Sequence, residues 1–391
     1  MTLEKKNSNA EVNVPDQLDT EREHKRLRFI DQGRGFIVLY LVITLVFPPE
    51  VWKEADFSII LHYIFDHAPR GATYMTLYDV GAAAFIFILG ILLNVAYRRR
   101  VEEKGKNKAI MHVLIRYGVL FVLGALIVVV DQGLYKVRYD YVLGYEYIII
   151  GWDVLPSIAV AGLIAFLFIS IRNPLYRLIV GYGWGLIYQI LMVTTFFKDY
   201  AILSSHGGIF GSIFGYASIS IIASAVGDYL VDPTKKESMK YWNLLIFALI
   251  NYGIGIGINF IPGWEASKRQ VSFAHNLISI GVTCFGLFIF SLMDRKLNWE
   301  LKYLRAFGMY PFFVYFISEL PIFLLDMTIG VDLGIEIWGN FIMLVLLLTY
   351  TSLLVLWLYK KKKSFSTIKA ALIFLAVAIA IAAIGIPLGL F

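Results

Sequence analysis

One cysteine, Cys284, stands in 391 residues. It lies inside an apolar run, so no intramolecular disulfide and no thiolate metal cluster can form, which excludes redox and zinc functions built on paired cysteines. Charge is scarce too. Charged residues make up 16% of the chain against 59% apolar ones, with a mean hydropathy of +0.70. That balance excludes a soluble protein of two or three domains. The opening stretch, 1–28, has no apolar core of signal-peptide length and reads as a retained, disordered cytoplasmic tail. Also missing is the alternation over about ten residues that marks a transmembrane barrel, so that fold and an outer-membrane location are excluded.

What the chain has in abundance is long apolar runs. Eleven exceed the length needed to cross a bilayer core of about 30 Å. They lie near 29–47, 79–97, 110–130, 148–170, 176–196, 209–230, 241–261, 271–293, 306–326, 336–359 and 365–390. The expected fold is therefore all-α, a polytopic transmembrane helical bundle of about 11 helices (10–12), with residues 29–391 as one transmembrane domain. An odd count puts the termini on opposite faces. With the amino terminus inside, the outer loops hold only Lys53, Arg70, Lys136, Arg138, Lys198, Lys268 and Arg269 of the 35 basic residues. The inner loops and the tail hold nearly all the rest, so the positive-inside rule places the amino terminus inside and the carboxyl terminus outside the cytoplasmic membrane. The net charge of +6 is thereby a topology signal and requires no nucleic acid.

Two outer loops are long. In the first, Phe57 to Phe65 is apolar but too short to cross and is expected to lie as an interfacial helix at the outer face. The second, Asp131 to Tyr147, holds five tyrosines, which suits a lid or, more plainly, aromatic enrichment at headgroup level.

Ionisable groups inside apolar spans are functional candidates by default. Asp31 and Arg34, three residues apart at the inner end of the first span, share a helix face and can pair. Gly33 and Gly35 allow a helix or ligand to approach there, and Arg34 can hold a phosphate. The plainer alternative has Arg34 snorkelling and Asp31 capping. His67 follows Asp66 and precedes a Pro-Arg-Gly turn, with Asp79 opening the second span. A histidine there can act as general base or transient acyl acceptor, with a neighbouring carboxylate orienting its ring. Arg116 sits near the inner end of its span, where snorkelling suffices, His275 is a further polar group inside a span, and Asn94, Asn251, Asn259 and Asn276 read as helix-bridging groups. Glu319, before Pro321 in the ninth span, should face the bundle interior. Gly253, Gly255 and Gly257 follow no strand and read as a close helix contact rather than a nucleotide motif.

In order along the chain, these segments resemble the heparan-alpha-glucosaminide N-acetyltransferase-like family, itself similar in its opening motif to membrane acyltransferases of the acyltransferase-3 type. Arg28 to Phe36 resembles R-x-x-S-x-D-x-x-R-G-F, and His67-Ala68-Pro69 through Asp79 to Gly90 resembles H-A-P-W-N-G-L-T-x-x-D-x-x-x-P-x-F-x-F-x-x-G. The basic stretch Arg98 to Lys108 with Arg116, the turn Gly207 to Gly211, and Gly308-Met309 with Ser318-Glu319 are similar to later family segments. The family's Trp-Asn after the histidine is Arg70-Gly71 here, its G-M-N asparagine is Tyr310, and its K-x-L-W-T is Lys268 to Ser272. These departures leave the acceptor open.

The resemblance implies an acyltransferase with His67 catalytic and with Asp31, Arg34, Asp66, Asp79 and Glu319 supporting it. Its donor would be an acyl-CoA, acetyl-CoA first, bound by Arg34 and Arg116; no metal takes part. The partners it implies are an extracytoplasmic glycan or small-molecule acceptor and the lipid bilayer, with a homodimer as an open alternative. Two rival readings stand beside it: a transporter or channel for a small polar solute, and a family member without catalysis.

Overall fold

In the computed structural model the described residues are 27–46, 58–69, 72, 74–139, 152–204, 206–315, 317–318, 337–361 and 376. Among them all regular structure is helical, and seven helices are long and apolar enough to cross a membrane. We number the elements α1 (Arg28–Val46), α2 (Ser58–Phe65), α3 (Leu77–Lys104), α4 (Lys106–Tyr139), α5 (Val154–Phe168) and α6 (Pro174–Thr194). After these come α7 (Phe197–Leu203), α8 (Gly208–Val231), α9 (Glu237–Asn259), α10 (Phe273–Arg295), α11 (Lys302–Met309) and α12 (Ile337–Lys360).

The first expected span forms the 19-residue α1, which is not among these seven, and two more take a different form. The run at 148–170 yields the 15-residue α5, shorter than a crossing helix. The run at 306–326 is interrupted: α11 ends at Met309, Tyr310 leaves helical geometry, and a new turn starts at Pro311, whose missing N–H suits a first helical position. The run at 365–390, apart from Ala376, lies outside the described residues, as do the amino-terminal tail before Leu27 and residues 140–147 of the expected tyrosine lid. α4 extends to Tyr139, so the start of that lid is helical.

α3 and α8 are the most enclosed of the long helices, and small residues explain why. A Cβ on Gly90 would meet Ala223 Cβ at 2.7 Å, and one on Gly227 would meet the Ile91 carbonyl at 2.1 Å, so the two backbones pack directly together. α1 crosses α11 in the same way. A Cβ on Gly35 would strike the Leu304 carbonyl and one on Gly308 the Asp31 carbonyl, which assigns the glycine expected to admit a helix or ligand to a helix contact. Outward faces of α6 and α9 are apolar: Ile179, Ile187, Ile190, Ile246, Leu249 and Ile250 are all exposed, as a lipid-facing surface requires.

Of the three glycines in Gly253-Ile-Gly255-Ile-Gly257, only Gly255 is in close contact, against Ile278 of α10. Gly253 and Gly257 face open space. One third of that expected packing motif is therefore realised.

The face bearing the α3–α4 turn, here the basic face, is held by two polar clusters. Asp228 of α8 accepts from Asn94 at 2.7 and 2.8 Å, from Arg98 at 3.2 Å and from Arg177 of α6. Arg177 is wholly buried and also donates to Ser224 Oγ at 3.2 Å. Nearby, Arg28 pairs with Asp294 at 3.5 Å and with Glu300 at 3.9 Å, and Glu300 pairs in turn with Arg305 at 2.6 Å, tying α1 to the end of α10 and the start of α11.

Candidate active site

The site is built around the amino-terminal turn of α3. Thr76 and Asp79 form a reciprocal capping box: Thr76 Oγ1 accepts from the Asp79 N–H at 3.3 Å, and Asp79 Oδ2 accepts from the Thr76 N–H at 3.2 Å. The same oxygen accepts from Thr76 Oγ1 at 3.1 Å and from the Ala68 N–H at 3.1 Å. Its partner Oδ1 is left for His67, whose Nδ1 lies 2.8 Å away. The positive end of the helix dipole and these N–H groups keep a buried carboxylate charged where it meets the imidazole.

Asp66 plays a different part from the one its position beside His67 suggests. Its Oδ1 accepts from the His67 backbone N–H at 2.6 Å and its Oδ2 meets His62 Nδ1 at 3.0 Å, so it fixes the main chain while Asp79 orients the ring. His62 belongs to α2, the short helix expected at the interface, whose Ile59 and Ile60 are exposed; its Nε2 lies 3.0 Å from the Tyr74 hydroxyl. The His67 ring stacks on Tyr78 with centroids 4.3 Å apart and planes 26° from parallel.

His67 Nε2 lies 3.1 Å from Lys268 Nζ. An ammonium can only donate, so Nε2 accepts, which requires the tautomer with its proton on Nδ1, the one that donates to Asp79. Lys268 also lies over the Tyr78 ring, 5.4 Å from its centroid. Burial lowers the Lys268 ammonium from its ordinary 10.5 to about 8; the carboxylates of Asp79 and Asp153 oppose the shift and Arg269 adds to it.

The loop that carries Lys268 is tied down on all sides. Tyr188 of α6 donates to the Gln270 carbonyl at 2.9 Å, and Gln189 bonds the Gly263 carbonyl at 3.0 Å and the Phe273 N–H at 2.9 Å. Val271 ends it at φ 52°, a region that β-branched residues rarely enter. Its buried side chain sits against Gly207, Gly211 and Gly215, whose added Cβ atoms would meet it at 2.8, 3.2 and 2.7 Å. α8 accommodates Val271 by opening into a π-helical stretch over Gly211–Tyr216, a widening often found beside functional sites. Gly207 and Gly208, at φ 71° and 60°, make the turn into that helix.

Two cavities meet at Lys268. The first, about 600 Å³, is polar and is lined by His67, Tyr74, Asp79, Lys198, Glu265, Lys268 and Arg269 among others. The second, about 260 Å³, runs between α1, α3, α5 and residues 311–318, with mostly apolar walls. At its loop end stand Lys268, Asp153 and His206, the latter two 3.8 Å apart. Burial holds His206 well below the ordinary histidine value, helped by Lys268, His67 and His275, and burial raises the Asp153 carboxyl. His275 and Asn276 of α10 support the site from below. His275 Nε2 lies 3.1 Å from the Asp79 carbonyl, and Asn276 donates to the Gly215 carbonyl at 3.0 Å.

Not every expected site residue joins this group. Asp31 and Arg34 do pair, at 2.7 Å and buried, but they lie at the α1–α11 crossing, and Arg34 lines neither cavity. Arg116 lies on α4, its guanidinium 5.8 Å from the Tyr117 ring, and also lines neither cavity. Glu319 lies outside the described residues. Among the described residues, no three histidine, cysteine or carboxylate side chains are grouped to hold a metal ion. Lys268, Tyr78, Asp153 and His206 carried no expected role; for Lys268 the one sequence signal was its place in the segment resembling K-x-L-W-T. No protein-family model and no curated protein matches the chain.

Proposed function

We propose that this chain is a multi-pass cell-membrane acyltransferase that moves an acyl group, acetyl in the simplest case, from acyl-CoA to a hydroxyl or amine of an extracytoplasmic glycan or small molecule. The observation that carries this reading is the chain of contacts Asp79–His67–Lys268, 2.8 and 3.1 Å long, facing a polar cavity of about 600 Å³. A carboxylate that fixes the Nδ1–H tautomer leaves Nε2 as a base. The acceptor's O–H or N–H takes the place of Lys268 beside Nε2 and gives up its proton as the acceptor atom attacks the thioester carbonyl. Lys268 donates to the carbonyl oxygen as negative charge develops on it. Collapse of the tetrahedral adduct breaks the C–S bond, and the departing CoA sulfur takes the proton from Nε2.

In this reading the cation-rich face is cytoplasmic, with Arg34 and Arg116 on the donor side, and the remaining apolar runs bring the crossings to about eleven, amino terminus inside and carboxyl terminus outside. The buried Cys284 leaves a background suited to topology mapping with introduced cysteines. Turnover of acetyl-CoA by purified protein is the deciding measurement. A His67→Ala protein that hydrolyses or transfers the acetyl group as fast as the parent would overturn the assignment.

A further inference from the structure

An acetyl group leaves the second cavity unused. Its deep walls are hydrocarbon, formed by Val38 and Val42 of α1, Ala82 and Phe85 of α3, Ile158 of α5 and Phe312. Its ionisable groups stand together, Asp153 and His206 3.8 Å apart with Lys268 beside them, and the rest of its polar lining is the hydroxyls of Thr44, Tyr78, Tyr315 and Ser318. At about 260 Å³ the chamber falls below the roughly 300–1,000 Å³ that a drug-sized ligand needs, so a nucleotide cannot enter and a narrow chain can. Two residues join this chamber to the chemistry. Tyr78 lines it while stacking on His67, and Lys268 lines both cavities while touching His67 Nε2.

We infer that this cavity binds a fatty acyl chain, with its carbonyl or carboxylate end at Lys268 and its tail running inward between α1, α3 and α5 toward Val38 and Phe85. Hydrocarbon moved from water into such walls is stabilised in proportion to the area buried, while an ammonium at the mouth recognises the oxygen end. Burial of His206 disfavours its charged form, which leaves Lys268 as the cation facing the chamber. This names the substrate class of the reaction proposed above and rests on that reading for the transfer step; binding itself is measured without turnover.

The probe is dodecanoic acid bearing a terminal diazirine, photolysed with the full chain in lipid nanodiscs and mapped by peptide mass spectrometry. Labelling is expected at Val38, Phe85 or Phe312, competed by dodecanoate or dodecanoyl-CoA and not by acetate or dodecyltrimethylammonium. Competition by dodecanoate alone identifies a free fatty acid as the occupant, and competition by the thioester as well identifies an acyl donor. Lys268→Gln should weaken dodecanoate competition at least tenfold and leave dodecanol competition unchanged. Ala82→Leu, checked for an unchanged melting temperature, should abolish labelling at Phe85. Labelling confined to lipid-facing residues such as Ile250, or competition unaltered in Lys268→Gln, would overturn the inference. Chain binding without transfer from any acyl-CoA refutes the acyltransferase reading and keeps the pocket; acetyl-CoA turnover with no chain competition does the reverse.

Discussion

His67 and Asp79 meet at 2.8 Å through Nδ1 and Oδ1, and the other oxygen of that carboxylate caps the helix that begins there. Asp79→Asn removes the charge that selects the imidazole tautomer, so turnover should fall by about 10²- to 10⁴-fold. Thr76→Ala removes the cap hydroxyl and leaves the carboxylate on the ring. It should lower stability by about 0.5–2 kcal/mol with a much smaller loss of rate. Parallel kinetics and thermal unfolding separate the two effects; equal rate losses would show that the cap, and not the carboxylate–imidazole contact, sets activity.

Lys268 supplies a pH signature. Burial disfavours its ammonium, so the proton leaves as pH rises through about 8, where an exposed lysine would hold it past 10. The groups facing it are His67, the carboxylates of Asp79 and Asp153, Arg269 and the neutral His206. Turnover that needs the ammonium should therefore decline on the alkaline side with a midpoint near 8. In Lys268→Arg, whose guanidinium stays charged, that decline should be absent. A profile of kcat/KM against pH with the same alkaline limb in both proteins would remove Lys268 from the mechanism.

The buried pair of Arg177 and Asp228 bears on stability alone. Arg177→Met leaves Asp228 with Asn94 and the half-exposed Arg98 and should destabilise the protein by about 3–5 kcal/mol. Arg177→Met with Asp228→Leu removes both charges and should recover most of that loss. Unfolding in detergent or lipid measures both, and a double variant as unstable as the single one would contradict the account.

Gly255 and Gly253 differ in surroundings though not in sequence context. A methyl at Gly255 would press on Ile278 at 2.8 Å and on its backbone N at 2.9 Å, so Gly255→Ala should be destabilising by about 1–3 kcal/mol. Gly253 faces open space, and Gly253→Ala should be neutral or stabilising by roughly 0.5–1 kcal/mol through helix propensity. Melting temperatures of the two variants give the comparison directly.

Local pattern makes part of the fold and site legible. Continuous apolar runs mark the helices, and the i, i+3 spacing of Asp31 and Arg34 foretells their pairing. What escapes a reading of the sequence are the partners set by packing. Arg177, counted among the inner-loop cations, is enclosed in α6 because Asp228 arrives from a helix 51 residues later. Lys268 reaches His67 across 201 residues of sequence, and no periodicity encodes that contact. The break at Tyr310 is hidden because the apolar run continues through Pro311, and hydropathy does not register a missing N–H.

The two tasks of Asp79 narrow what evolution can do at that position. Elsewhere a weak helix start can be repaired by a better cap, and a slow base can be retuned by its neighbours. Here one residue holds six contacts in a single geometry, four of them through its carboxylate, so a longer glutamate or a neutral asparagine alters folding and the geometry at His67 together. Substitutions elsewhere in the cavity wall around His67 can reshape it independently, while position 79 stays fixed as the pivot of both tasks.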